Sequence, residues 1–527
     1  MSIPFAYGTK GDNRQRKKMK KQTLYILCVI SVILTACKPE ARIPEGATTT
    51  TEVVNIYPDY RDIVVPPNIA PLNFMAKGQG EEYVARIKGK KGSEVLAAAD
   101  EDGKLFFDSL EWHALLASNK GGDLAVTVYE KRNDQWLQHP DYTLTVAEEE
   151  IDPYLSYRLI EPSYELYRQL GLYQRNLTNF DEAVIYENND TYTEGENHCI
   201  NCHNYQNYST ERMLFHVRGD HGGTVFVNDG KADKRIMTND SILGNSVYPS
   251  WHPTKPWLVF SSNLTGQAFH LIDRQKIEVV DYGSDLIFYD AEHNTISNVL
   301  KTNSDMENFP CWTPDGKKVF FCSAHVAEFD TMATDKKDER SDVILRNYNK
   351  VRYNLMSISF DESTRTWGTP QMEYDCASDS LSVSVPRVSP DGRYGRFTLG
   401  KFGQFHIWHS SSDLFVKDLL TGEIRPLTAA NSDNVDSYHT WSSNGRWIVF
   451  SSRRDDGSFT RPYIAYFDKQ GRDHKAFLLP QEDPEYNLLR MKSYNVPELT
   501  RDAVRSNPED LKGVIYADDK AGTVTYK

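Results

Sequence analysis

Five consecutive residues, Cys199-Ile200-Asn201-Cys202-His203, carry the densest chemistry in the chain. Two thiols separated by two residues can add across the two vinyl groups of a porphyrin, and a histidine directly after the second thiol can ligate the iron. The spacing is that of covalent c-type haem attachment. With 7 Cys and 14 His in 527 residues, roughly 0.002 such strings are expected by chance. The expectation is one covalent haem c with His203 as proximal ligand. Zinc, a redox-active dithiol and a plain disulfide are the competing uses. Zinc would need two further ligands, and His198 and His203 adjoin the cysteines too closely to share a tetrahedron with them. A dithiol would want a thioredoxin-like setting, which this Tyr- and Asn-rich segment does not offer.

A sixth ligand is sought nearby, in the order Met213, His216, His221. Methionine would raise the reduction potential and a second histidine would lower it. Arg218 is placed to pair with a haem propionate. Cofactor contacts are therefore expected at Cys199, Cys202, His203 and Arg218, and metal ligation at His203 with Met213 or His216. Residues 190–212 are too short and polar to build a cytochrome domain, so the haem must lean on neighbouring structure and stay partly exposed. Elsewhere, His406-Ile407-Trp408-His409 reads as a strand edge and Arg453-Arg454-Asp455-Asp456 as a solvated charged loop rather than as catalytic groups. No phosphate loop, nucleophile elbow or zinc-protease motif is present. The chain does not read as a hydrolase.

The elements that must hold the motif read as strands. Between residues 55 and 150, β-rich runs such as 82–87, 124–129 and 142–146 alternate with turn signals, around one short helix at 109–118, as in a small β-sandwich. Residues 151–212 look like a tyrosine-rich connector that carries the haem motif, with a short helix at 163–170. From 213 to 480 one phrase recurs: Tyr248-Pro249-Ser250-Trp251, Phe309-Pro310-Cys311-Trp312, Val385-Pro386-Arg387-Val388 and Tyr438-His439-Thr440-Trp441, each running through a turn into an apolar strand. Proline presets the turn, Asp or Asn bonds its own backbone, and Gly accepts positive φ. Two hairpins per unit make a four-stranded blade, and a fifth blade can be drawn from 213 to 237. A sixth would have to borrow strands from the connector or the C-terminus, because an open ring leaves sheet edges unpaired.

These repeats resemble the TolB-like propeller repeats, in which a proline stands two residues ahead of a tryptophan and Ser-Pro-Asp-Gly-Lys follows. The last unit departs from the pattern at Ser443 and Asn444. Residues 190–480 are similar to propeller lipoproteins that carry a Cys-x-x-Cys-His. The resemblance implies an all-β fold, a propeller of six blades preceded by a small β-sandwich and a haem-attachment segment, and leaves activity open.

The compartment follows from the N-terminus. Lys17, Lys18, Lys20 and Lys21 precede an apolar stretch from Leu24 to Leu34, too short to span a bilayer and laid out like a secretory signal. The stretch ends in Leu34-Thr35-Ala36-Cys37, which resembles a lipobox with Cys37 as the lipidation site; translation from Met19 would give a signal of ordinary length. The expected organisation is signal and lipobox at 1–37, a flexible tether at 38–54, sandwich at 55–150, connector with motif at 151–212, propeller at 213–480, and an extension at 481–527 that closes or packs on the propeller. The mature chain sits on the periplasmic side, held by lipid, outer membrane first. A formal charge of -14 argues against nucleic acid. The partner is a periplasmic redox or envelope protein. The leading function is electron transfer, with no enzymatic activity required. A binding or scaffold propeller with a structural haem or none is the alternative, and an enzyme with an open haem position the third reading. Cys311, Cys322 and Cys376 are left over; the first two flank a tight turn on a diagonal that suits no disulfide.

Overall fold

The computed structural model describes residues 41–161, 170–188, 198–272, 275 and 277–527. The signal, the lipobox at Cys37 and the helix expected at 163–170 lie outside them. Among the described residues no helix is long and apolar enough to cross a membrane.

Six sheets form a six-bladed β-propeller. The inner strands are, in order of the blades, Ser493–Thr500, His198–Gln206, Asn245–Trp251, Asp305–Trp312, Ser382–Val388 and Asp436–Trp441. Each touches the next, and the inner strand of blade 1 meets those of blades 6 and 2, which closes the ring. Blade 1 is assembled from both ends of the propeller: Tyr154–Ile160, Gly171–Asn176 and Glu182–Glu187 take the C-terminal strand Ser493–Thr500 as an antiparallel partner, Tyr154 opposite Thr500. Residues 151–212 are therefore three strands of blade 1 and the start of blade 2 rather than a connector. Of the tyrosines and leucines that suggested packing against a neighbour, Tyr157, Leu159 and Leu170 are buried, the first two in a core shared with the N-terminal sheets.

Blades 2 and 3 each gain a parallel edge strand from the C-terminus, Gly522–Thr523 and Thr525–Tyr526. These short strands pair edges that would otherwise be open. The N-terminal sandwich has a seven-stranded and a three-stranded sheet with the helix Ser109–Ser118, whose first turn is capped by Asp108. Thr48–Thr49, inside the expected tether, pairs with Gln135–Gln138. One apolar core runs from this sandwich through Tyr157 and Leu159 of blade 1 to Trp447, Ile464 and Phe477 of blade 6.

The departure of the last repeat has a physical reason. At the other turns Thr313, Ser389 and their aspartates close the loop, with Gly316 and Gly392 at φ +68 and +73. In blade 6 the Ser443 amide and hydroxyl donate to Asp152, at 2.6 and 2.5 Å, and Asn444 Nδ2 donates to the Glu150 carbonyl at 2.6 Å. Proline has no N–H and aspartate no N–H₂ to offer. The turn is rewritten to receive the chain arriving from the sandwich.

Candidate functional site in the central channel

The Cys-x-x-Cys-His segment is the innermost strand of blade 2. In a regular strand, residues three apart point to opposite faces, which would separate the thiols. The ladder prevents this: Asn201 pairs with His216 and Asn204 with Leu214, so Cys202 and His203 together oppose one residue, and Cys202 takes φ 55. This β-bulge resets the alternation. Cys199, Cys202 and His203 consequently line the same chamber, a cavity of about 490 Å³ inside the propeller channel.

The bulge is a repeat of the fold. Tyr248-Pro249, Phe309-Pro310, Val385-Pro386 and Val496-Pro497 stand at the same point of blades 3, 4, 5 and 1, with φ of 49 to 51 at the first residue. Blade 6 has one extra residue at Tyr438, followed by His439. Proline suits the second bulge position because its missing N–H leaves no ladder donor unpaired. Cys202-His203-Asn204-Tyr205 is thus the blade 2 copy of Tyr248-Pro249-Ser250-Trp251. That alignment is visible in the sequence, and it is the signal that would have put the motif inside the ring.

Histidine in place of proline puts an imidazole in the channel wall. His203 is 3% exposed; neither ring nitrogen bonds a side chain, and the polar groups beside them are the backbone of Ser156 and Val496. Burial, helped by the Arg158 charge and opposed by the backbone of Ser156 and Val496, lowers its pKa to about 3. It is therefore neutral, the form that ligates a metal. No side chain competes for its nitrogens. Cys199 and Cys202 are both free and half-buried, unlike the buried Cys311, Cys322 and Cys376, which are also free.

Three guanidinium groups face the chamber: Arg158 from blade 1, Arg218 from blade 2 and Arg387 from blade 5. Arg218 lies directly across the strand pair from Cys199. It keeps contact with solvent although protein surrounds it on most sides. Arg158 Nη1 donates to the Ile200 carbonyl and Arg387 Nη1 to the Pro386 carbonyl. Among the described residues no carboxylate lines the chamber. Aromatic rings form a belt across it, Tyr248 against Phe309 at 4.2 Å, Phe309 against Tyr438 at 6.4 Å and Phe405 against Tyr438 at 5.9 Å between centroids.

A roof covers one end. Strands Trp257–Phe269 and Ile277–Asp290 of blade 3 are about twice the length of their counterparts and bring Thr265, Gln267 and Val279 over the chamber. The hairpin reaches blade 5, where buried Glu278 pairs with buried His409 at 3.2 Å. His406 and His409 are therefore interior groups of a 3₁₀ turn, not a strand edge; His406 Nδ1 bonds Ser384 Oγ at 2.9 Å. The charged loop is likewise less solvated than expected, for Arg453 is buried over the Trp408 ring and Arg454 pairs with Asp436 at 2.9 Å. The floor of the channel is a ring of one residue per blade, Asn204, Ser250, Cys311, Arg387, Thr440 and Glu498. Burial raises the Glu498 carboxyl to a pKa of about 7.

The expected sixth ligands are not in the chamber. Met213 is fully buried between blades 1 and 2 with Phe215 and Leu511. His216 turns toward blade 3, with Nδ1 held by Thr224 Oγ1 at 2.7 Å, and lines a separate cavity. His221 pairs with Asp518 at 2.7 Å. The cause is strand geometry: the three follow the motif closely in sequence, but the second strand of blade 2 aims them at the blade faces. Arg218 alone of that segment joins the motif.

The residues present fit a c-type haem. The chamber offers two free thiols, a buried neutral histidine, cationic groups for propionates and apolar rings for the macrocycle. Zinc fits less well, since among the described residues the only three donors within 4.8 Å of one another are Asp290, Glu292 and His293, and Asp290 is already paired with Arg365 at 2.9 Å.

No family model matches the chain, and no curated protein matches it. Among solved structures it is similar to an oligogalacturonate lyase in complex with manganese, at 13% identity over 61% of this chain and 72% of that one, TM-score 0.33. It is also similar to prolyl oligopeptidase B from Galerina marginata, at 10% identity over 67% of this chain and 42% of that one, TM-score 0.36. A periplasmic gluconolactonase of Pseudomonas aeruginosa shares 11% identity over 61% of this chain and 68% of that one, TM-score 0.26. At such distances none of these likenesses bears on what this chain does.

Proposed function

We propose that this chain is a monohaem c-type protein whose haem sits inside the propeller channel, lipid-anchored through Cys37 on the periplasmic side and engaged in electron transfer with a periplasmic redox or envelope partner. The single observation that carries the proposal is His203, buried and without a side-chain hydrogen-bond partner, in one chamber with the two free thiols of its own motif. Cys199 and Cys202 would hold the group covalently and His203 would supply an axial ligand. Arg158 would meet the propionates, with Arg218 and Arg387 as further cationic groups of the same wall. Bound there, haem supplies one-electron chemistry. The chain's own residues set its conditions: the aromatic belt and the roof surround it with apolar groups, and burial keeps His203 unprotonated. The acidic chain carries its cationic groups inward at this point, which suits a dianionic cofactor.

The experiment is a haem stain on a denaturing gel with a pyridine haemochrome spectrum, on protein made in cells that carry the c-type maturation machinery, alongside a Cys199→Ser, Cys202→Ser variant. Haem that survives denaturation and is lost from the variant supports the proposal. A haem-free parent protein refutes it and leaves a binding or scaffold propeller.

A further inference from the structure

We infer that the chamber leaves one axial position of a His203-held iron open to a small monovalent anion, with Arg218 and Arg387 as the groups that attract and orient it. The inference rests on the haem reading above. It starts from the inventory of the chamber wall. His203 is the only histidine there among the described residues, and no methionine lines it. The residues outside the description between 162 and 276 include neither histidine nor methionine. Met213 and His216, the nearest alternatives along the chain, are committed to the blade 1 core and to Thr224. Tyr248 and Tyr438 line the chamber, and a tyrosine can ligate haem iron as a phenolate. Burial pushes the Tyr248 phenol well above its ordinary pKa, which keeps it a hydrogen-bond donor.

The charges favour an anion. Three guanidinium groups face a haem that brings two propionates, and ferric iron in a porphyrin adds one positive charge. The compensating acids stand behind the wall. Asp281 is 2% exposed and accepts from Thr265 Oγ1 at 2.7 Å and Asn263 Nδ2 at 2.7 Å, and Glu498 lies in the floor below Arg387 with Asn204 donating to it at 2.6 Å. Neither lines the upper chamber. Among the described residues Arg218 and Arg387 make no ion pair with a carboxylate, and the other eighteen residues of the wall besides the three arginines are uncharged, so a small anion would meet charge-assisted donors with no acid of the wall competing for them.

The test uses the purified holoprotein and two probes, azide as the anion and imidazole as a neutral ligand of the same iron. The ferric protein should be high-spin as isolated and convert to low-spin on azide titration. Arg387→Gln and Arg218→Gln should each weaken azide by about tenfold or more, the range of a lost charge-assisted hydrogen bond, while imidazole affinity moves less than twofold. Arg387→Lys, which keeps the charge, should recover much of the azide affinity and covers the case in which the glutamine variant fails to fold. A protein that is low-spin as isolated overturns the inference, and conversion of that protein to high-spin by Met213→Leu or His216→Phe would identify the internal ligand. Azide affinity indifferent to both arginines overturns it as well. Failure to bind haem at all overturns the underlying reading instead, and the haemochrome assay tells the two apart.

Discussion

The carboxyl of Glu498 is 9% exposed in the channel floor, and burial raises its pKa from 4.5 to about 7 against the pull of Arg387 and the Asn204 amide. An acid whose pKa is raised by folding takes up a proton on folding between those two values. Its contribution to stability is fully present below pH 4.5, is lost as pH rises through 7, and stays lost above. At about 1.36 kcal/mol per pH unit this displacement amounts to about 3 kcal/mol. Glu498→Gln keeps an oxygen for Asn204 Nδ2 and removes the ionisation. Parent and variant should therefore unfold at nearly the same urea concentration at pH 4.5, and the variant should be more stable by about 3 kcal/mol at pH 8. The continuous core between sandwich and blades 1 and 6 favours a shared transition, so midpoints at equal slope report the difference. The difference between the two proteins must grow between pH 4.5 and 7 and then level. A difference that is the same at every pH would refute the reasoning.

Three further outcomes follow from other parts of the molecule. Ser443→Pro removes both donors from the 94%-buried Asp152 and should cost about 3 kcal/mol by urea unfolding, the penalty for a buried carboxylate stripped of its partners; a loss below about 0.5 kcal/mol would mean that the contact does not hold the sandwich to blade 6. Removal of residues 493–527 takes the inner strand from blade 1, and the truncated chain should aggregate or be cut rapidly by protease, whereas a monomer of undiminished protease resistance would show that the ring does not need that strand. Cys37→Ser should release the protein from the membrane fraction without changing its haem content; retention in the membrane would remove the lipid anchor from the proposal.

Much of the propeller was legible because blades 3 to 6 repeat a turn with its own chemistry, and the strand 142–146 and the helix 109–118 stand where alternation and the Asp108 cap put them. Blade 1 was legible only through closure, which required a sixth blade to borrow strands from the connector or the C-terminus; it takes strands from both, and no local pattern announces a partner that distant. Blade 2 was drawn from 213 to 237 without its inner strand, for another reason. Its inner strand replaces the Tyr-Pro-x-Trp phrase with Cys202-His203-Asn204-Tyr205, so the residues that made the motif conspicuous as chemistry removed the features that would have marked it as a repeat. The candidate ligands failed on geometry: nearness in sequence to His203 placed Met213 and His216 on the next strand, where pairing and burial fix their direction.

The way the ring is closed bears on how a haem, if the chain holds one as proposed, could be attached. The strand bearing Cys199 and Cys202 has blade 3 on one side and Ser493–Thr500 on the other, and the second neighbour emerges only after blades 2 to 6. Until it docks, the thiols would lie beside a gap in an unfinished wall, within reach of the large enzyme that the proposed haem attachment would need. Afterwards the roof and the aromatic belt bar anything of that size. Covalent loading would then belong to the interval between translocation of blade 2 and capture of the last inner strand, and the final step of folding would double as the step that seals the cofactor in.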